Sequence, residues 1–183
     1  MALTPSNMLV LGTEAHAFSL PDGNGEVFHS DELFKTNGLL VVFMSNHCPY
    51  VIHLADELAK MGDRIVDFDI GMVGINANDV VAYPADSPEN MVKECAARGY
   101  HFPYLFDESQ QVAKAYEAAC TPDFFLFDGN RKLVYRGQFD GSRPGNNIAV
   151  TGEDLYAALE SLSQGQPIGD NQQPSIGCNI KWK

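Results

Sequence analysis

The chain has 183 residues, 45% of them hydrophobic and 20% charged, and its 24 acidic and 12 basic residues give a formal net charge of −12. This length and composition predict a single domain over residues 1–183 with a sizeable core. The acidic excess argues against nucleic acid or an anionic membrane surface as a partner, since both reward clustered Lys and Arg. No apolar run approaches a membrane span. Because Met1–Leu20 lacks the basic start of a secretory signal, we expect a cytoplasmic protein.

Strand-like and helix-like segments alternate along the chain. An Asn-Gly turn within Pro21–Gly25 predicts an N-terminal β-hairpin, and Leu39–Phe43 and Ile70–Ile75 are apolar runs of strand length. Thr151 predicts the start of the last long helix, and the tail 166–183 is expected to be irregular. The other predicted elements are strands at Ala15–Leu20, Val27–Phe28, Phe102–Phe106, Phe124–Phe127 and Lys132–Tyr135, and helices at Ser30–Phe34, Pro88–Arg98 and Glu108–Ala118. This order predicts an α/β sheet of mixed strand directions flanked by helices.

The residues around Cys48 carry the clearest indication of chemistry. The predicted strand ends at Phe43, and Pro49 fits the first position of a helix, because its missing N–H has no partner there in any case. Unpaired N–H groups and the positive end of the helix dipole would favour a thiolate at Cys48, and the thiolate is the nucleophilic form. The alternative is that Cys48 is a small buried hydrophobic residue. The helix is predicted to run to about Arg64, with an apolar face of Val51, Leu54, Leu58, Met61 and Ile65.

A Thr121-Pro122 pair precedes the Phe-rich strand 124–127. Only X–Pro bonds adopt the cis form at low cost, so a cis-proline is one interpretation. A trans proline at the first residue of a strand is the other. The residues alone leave both open.

Together, these features resemble the thioredoxin-fold redoxins, and more narrowly the peroxiredoxin-like branch of the alkyl hydroperoxide reductase/thiol-specific antioxidant (AhpC/TSA) family. The resemblance implies a thioredoxin-like fold with an N-terminal β-hairpin extension. It also implies that Cys48 is the attacking thiol and that Pro122 is a cis-proline facing it. The segments that carry the resemblance are Leu11–Asp22, Asn46–Pro49, Asn78-Asp79, Asp86–Met91, Thr121-Pro122 and Gly177–Lys183.

The sequence also departs from this family pattern. Thioredoxins have a second cysteine three residues after the first, but this position is Val51, so a Cys-x-x-Cys exchange is not available. Peroxiredoxins carry Ser or Thr three residues before the reactive cysteine, and Ser45 fits this pattern. They also use an arginine to stabilise the thiolate and the peroxide. Arg136 and Arg143 are the candidates, each with a solvated surface charge as the alternative.

A reactive thiol oxidised to sulfenic acid needs a second thiol to be reset. Cys120 is the better internal candidate, because it lies two residues from Pro122. Cys178 could serve instead if the tail folds back over the site, and an external thiol is the third option. Cys95 lies on the apolar face of a predicted helix and is interpreted as core.

His47 and His53 are the histidines closest to Cys48 in the sequence, and either could act as a base toward it. A simple turn position is an equal interpretation of His47. Cysteine spacing matches no zinc pattern, and a metal site of Cys48, His47 and Cys120 has little support, so no cofactor or metal is expected.

The sequence therefore predicts a thiol-dependent oxidoreductase with antioxidant, peroxiredoxin-like activity, in which Cys48 attacks a peroxide or a disulfide. The candidate site residues are Cys48, Ser45, His47, Cys120, Thr121, Pro122, Arg136 and Arg143. The expected partners are the small substrate and an external thiol reductant, and a homodimer is left open. The alternatives are a thiol–disulfide reductase or isomerase using one cysteine, and a non-catalytic binding or redox-sensor module.

Overall fold

The computed structural model describes residues 3–183. The strands are β1 Leu3–Pro5, β2 Ser19–Pro21, β3 Val27–His29, β4 Gly38–Phe43, β5 Ile70–Asn76, β6 Tyr104–Phe106, β7 Cys120–Thr121, β8 Asp123–Asp128, β9 Leu133–Gly137 and β10 Ile176–Asn179. The α-helices are α1 Ser30–Leu33, α2 Pro49–Arg64, α3 Pro88–Arg98, α4 Gln111–Ala115 and α5 Glu153–Ser163. No helix in this range is long and apolar enough to cross a membrane.

A mixed sheet forms the centre of the molecule, as predicted. Strand β8 pairs antiparallel with β4 on one side and with β9 on the other, whereas β5 and β6 are parallel. Strands β4 and β5 lie side by side, and the Met44 N–H donates a 2.9 Å hydrogen bond to the Ile75 carbonyl where β4 ends. The predicted N-terminal hairpin is present as the antiparallel pair β2–β3.

Strand β4 is buried on both faces, which explains why its sequence is a continuous apolar run. Leu40 and Val42 belong to a cluster with residues of α2 and α5. Leu39, Val41 and Phe43 belong to a second cluster on the opposite face, with residues of α4 and the N-terminal hairpin. All five apolar residues predicted for the inner face of α2 are buried. The end of β4 and the start of α2 are therefore anchored on both sides of the sheet.

The prediction of an irregular C-terminal tail is wrong for its last part. Residues 166–175 have no regular structure, but Ile176–Asn179 forms β10. This strand lies between β1 and β7 in a small antiparallel sheet. Its sequence alone lacks the alternation of a strand, and the pairing partners lie far away in the chain.

Two helix boundaries also differ from the predictions. Helix α4 is shorter than Glu108–Ala118 because Gln110 adopts a left-handed conformation with φ of 62°. Helix α5 does not start from a Thr151 capping box, since Gly152 is its N-cap and makes no side-chain cap. Instead the buried Asp140 carboxylate accepts hydrogen bonds of 2.6 Å from the Thr151 and Gly152 N–H groups.

We therefore expect Asp140→Ala to lower the free energy of unfolding by about 2 kcal/mol or more, because it leaves buried N–H donors without an acceptor. The matched variant Thr151→Ala removes only a 3.3 Å contact to the Glu153 N–H and should cost less than about 1 kcal/mol. Urea unfolding of both variants measures the difference. Equal losses would contradict this assignment of the cap.

Candidate functional site

Cys48 lies at the N-cap of α2, as the sequence predicts, and Pro49 is the first helical residue. Its side chain is fully buried. The thiol donates a 3.1 Å hydrogen bond to the backbone carbonyl of Thr121. The bond between Thr121 and Pro122 is cis, which agrees with the interpretation that the resemblance favoured. The reactive-cysteine candidate and the cis-proline segment are thus brought into direct contact.

The hydrogen bonds expected to stabilise a Cys48 thiolate are not formed. The Cys48 side chain makes no cap hydrogen bond with the helix N–H groups. The Ser45 hydroxyl is buried and has no hydrogen-bond partner among residues 3–183. The Cys48 sulfur instead faces the Thr121 carbonyl oxygen, an acceptor. The Ser45 hydroxyl is the donor closest to it in sequence.

Cys178 is the thiol that the structure brings to Cys48. Strand β10 folds back against β7 so that Cys178 is the direct cross-strand partner of Thr121. Cys178 and Cys48 belong to the same buried cluster, and their side chains interact. Burial, followed by the interaction with Cys48, raises the pKa of the Cys178 thiol to about 12. The condition set for Cys178 from the sequence, a tail folded back over the site, is met.

Cys120 is buried in the same neighbourhood, but its sulfur is directed elsewhere. Its thiol lies 3.6 Å from the Pro122 carbonyl oxygen, to which it donates. Its cross-strand partner is Asn179, one position along from the pair that contains Cys178. Burial, with a smaller contribution from the Asp123 carboxyl, raises the pKa of the Cys120 thiol. The preference for Cys120 as the closer internal thiol is therefore not supported by the geometry.

His47 points to a carboxylate and not to Cys48. Its Nδ1 lies 2.7 Å from Oδ2 of Asp86, and its ring stacks on Tyr83 with 5.3 Å between centroids. The fully buried Asp86 also accepts hydrogen bonds from the backbone N–H groups of Asn46 and His47 and from the Asn78 side chain. His47 thus helps to fix the turn before Cys48, which agrees with the turn interpretation.

The two candidate arginines have different positions. Arg136 donates to the Leu9 carbonyl and to the Gln172 side chain, so it links the N-terminal segment to the tail. Arg143 lines a narrow crevice beside Pro122 and donates to the backbone carbonyls of Asp140 and Ser142 and to the Gln138 side chain. Its Nε is buried without a partner in the described part of the chain. Arg143 is therefore the arginine of the site region.

The crevice has room for about one water molecule. His53 lies in its wall and shares a 2.7 Å hydrogen bond with the Ser142 hydroxyl, so its ring is not directed at Cys48 either. The other lining residues next to the cis-proline include Tyr50, Phe124 and Ser175.

Asp123, directly after Pro122, is a buried acid that sequence reasoning missed. Its Oδ2 accepts a 3.4 Å hydrogen bond from the Ala119 N–H, whereas Oδ1 has no partner among residues 3–183. Burial raises the pKa of the Asp123 carboxyl to about 7. Asp86 was also missed as a site residue, although the segment Asp86–Met91 contributed to the family resemblance.

A match to a known family model establishes the family to which this chain belongs. The model of the AhpC/TSA family matches residues 11–136. The chain belongs to the AhpC/TSA family. Cys48, Pro122 and Asp86 lie inside the matched segment, and Cys178 lies outside it. Membership of this family supports a thiol-dependent redox function.

Several solved structures are also similar to this AhpC/TSA chain. An uncharacterised conserved protein from Geobacillus kaustophilus is 48% identical, with a TM-score of 0.98 over 100% of this chain and 97% of that chain. A hypothetical protein from Sinorhizobium meliloti 1021 is 50% identical, with a TM-score of 0.96 over 98% of each chain. The thioredoxin domain of a thiol-disulfide oxidoreductase from Bacteroides vulgatus is 20% identical, covering 85% of this chain and 99% of its own, with a TM-score of 0.65. This last likeness supports the thioredoxin-like fold alone. No curated protein sequence matches the chain.

The Asp86 contacts generate a stability prediction. Asp86→Asn replaces one carboxylate oxygen by an amide NH2 group, which is a donor that faces other donors. We therefore expect the free energy of unfolding to fall by about 2–3 kcal/mol. Asp79→Asn is the matched control in the same loop, since within residues 3–183 the half-buried Asp79 side chain accepts a single 3.0 Å bond, from the Val81 N–H. Similar losses for the two variants in urea unfolding would show that Asp86 does not hold the turn.

The raised pKa of Asp123 predicts a pH dependence of stability. The carboxyl titrates near 3.8 when unfolded and near 7 when folded, so the stability present below pH 3.8 is lost as the pH rises to about 7. Asp123→Asn removes this loss, and the variant should gain in free energy of unfolding relative to the wild type between about pH 4 and pH 7. The exposed Asp67→Asn is the control for urea unfolding across this range. A constant difference between Asp123→Asn and the wild type would contradict the buried-acid interpretation.

Proposed function

We propose that this protein is a thiol-dependent peroxidase in which Cys48 reduces a small hydroperoxide. The observation that carries the proposal is the Cys48 thiol held at the N-cap of α2 and hydrogen-bonded to the carbonyl of the cis Thr121–Pro122 peptide. This arrangement combines a helix N-terminus, which favours negative charge on sulfur, with a fixed direction for the thiol.

The burial of the site favours a small oxidant. Cys48 is fully buried, and the crevice beside Pro122 has room for about one water molecule. A hydroperoxide group is close to that size, whereas a protein disulfide requires an exposed sulfur or a large opening of the site. Strand β10 also occupies the backbone edge at Thr121, so an extended polypeptide cannot pair there without displacing it.

In the proposed reaction the Cys48 thiolate attacks one oxygen of the peroxide and the O–O bond breaks. Two electrons pass from the sulfur to the peroxide, and the leaving oxygen takes a proton to give an alcohol or water. Cys48 becomes a sulfenic acid. The Ser45 hydroxyl, which has no hydrogen-bond partner among residues 3–183, is the donor we assign to the developing negative charge after Cys48 leaves the Thr121 carbonyl. Arg143 would orient the peroxide from the crevice, and an external thiol would supply the electrons for the return to the reduced state.

A thiol–disulfide reductase is the second candidate, favoured by one specific observation. Strand β10 brings the Cys178 thiol into the buried cluster of Cys48, and a dithiol exchange would use these two thiols in place of the missing Cys-x-x-Cys pair. A non-catalytic redox sensor of the same fold is the third candidate. Substrate choice and turnover separate the three.

We expect Cys48→Ser to abolish consumption of hydrogen peroxide in the presence of dithiothreitol, because no other thiol lies at the helix N-cap. Cys95→Ser is the matched control and should retain wild-type rates, since Cys95 lies on α3 and burial raises its pKa to about 11. Wild-type consumption by Cys48→Ser would refute the peroxidase proposal. A wild type that reduces small disulfides but not peroxide would favour the reductase, and inactivity toward both would favour the sensor.

A further inference from the structure

The C-terminal strand β10 brings a second thiol into the site from outside the segment that matches the family. Cys178 pairs directly with Thr121, whose carbonyl accepts the hydrogen bond from the Cys48 thiol. Cys178 and Cys48 also belong to one buried cluster, in which their side chains interact. Both sulfurs are buried in the same apolar cluster, so their contact is part of the packed core.

The register of the small sheet distinguishes Cys178 from Cys120. Side chains of directly paired residues lie on the same face of a sheet, and successive residues alternate between faces. Cys178 therefore shares a face with Thr121, and Cys120 shares the opposite face with Asn179. The Cys120 thiol is directed to the Pro122 carbonyl, as described above.

Gly177 makes the close approach of β10 possible. A Cβ atom at this position would lie 2.0 Å from the Thr121 carbonyl oxygen, which is far inside contact distance. Since this oxygen is the acceptor of the Cys48 thiol, any side chain at residue 177 would push β10 away from the site. The glycine therefore sets the distance between the two sulfurs.

We propose that Cys178 is the second redox-active thiol of this protein and that oxidation yields a Cys48–Cys178 disulfide within one chain. The proposal rests on the proposed function, because Cys48 must first be oxidised. It assigns the thiol that resets Cys48 to the C-terminal strand, and it leaves the external reductant to act on the disulfide.

The chemical step balances with the groups present. After a hydroperoxide has converted Cys48 to a sulfenic acid, the Cys178 sulfur attacks the Cys48 sulfur. The S–O bond breaks as the S–S bond forms, and the departing hydroxide takes the Cys178 proton to leave as water. An external thiol then reduces the disulfide and returns both cysteines to thiols. The raised pKa of Cys178 keeps it protonated at neutral pH, so its proton is available to the departing hydroxide.

The test is one equivalent of hydrogen peroxide added to the reduced, folded protein, followed by alkylation and mapping of disulfides by mass spectrometry without reduction. The wild type and Cys120→Ser should both yield the Cys48–Cys178 linkage. In Cys178→Ser the Cys48 sulfenic acid should persist at least tenfold longer, measured by trapping with dimedone. A Cys48–Cys120 linkage in the wild type would overturn the proposal.

Gly177→Ala provides a second variant that keeps every cysteine. It should slow disulfide formation at least tenfold while Cys48 is still oxidised, because β10 is displaced from Thr121. Gly169→Ala is the matched control in the same tail, since a Cβ atom there meets nothing within 4 Å. Disulfide formation by Gly177→Ala at the wild-type rate would contradict the proposed role of β10.

The outcomes separate this proposal from the one on which it rests. If the dimedone adduct at Cys48 is equally persistent in the wild type and in Cys178→Ser, the Cys178 proposal fails and the peroxidase proposal stands. If Cys48 forms neither adduct nor disulfide in any variant, both fail.

Discussion

The hydrogen bond from the Cys48 thiol to the Thr121 carbonyl is the interaction on which the rest of the site depends. It joins the start of α2 to the short strand before the cis peptide, two segments separated by 73 positions in the chain. Cys178 reaches Cys48 because β10 pairs with the same residue, Thr121, that supplies the carbonyl.

A buried carboxylate supports this contact from the other side. The Asp86 carboxylate is hydrogen-bonded to the backbone of the turn 46–47, to the His47 ring and to the Asn78 side chain. The C-terminal segment reaches the same region, because the Lys181 N–H donates to the Asn78 side chain and its carbonyl accepts from the Asp79 N–H. The C-terminal segment is thus connected through β10 to Cys48 and Cys178, and through Lys181 to the turn that presents Cys48.

Two electrostatic effects act in opposite directions on the Cys48 sulfur. The helix N-terminus carries partial positive charge, whereas the Thr121 carbonyl oxygen that contacts the Cys48 sulfur carries partial negative charge. Burial disfavours charge on Cys178 and Cys120 and keeps both protonated. Full burial of Cys48 limits access to its sulfur.

The sequence by itself determined the elements whose signal is local. The apolar run of β4, the helical spacing after Pro49 and the cysteine between them required strand, N-cap and helix in this order, because each depends on neighbours a few residues away. The family resemblance added the cis-proline. What only the tertiary structure decided depends on pairing between distant segments. Strand β10 exists because β1 and β7 offer it hydrogen-bonding edges, and Asp140 caps α5 from outside the helix. For the same reason no local pattern could rank Cys178 above Cys120, since their distances to Cys48 follow from a strand register and from a glycine that lets two backbones touch.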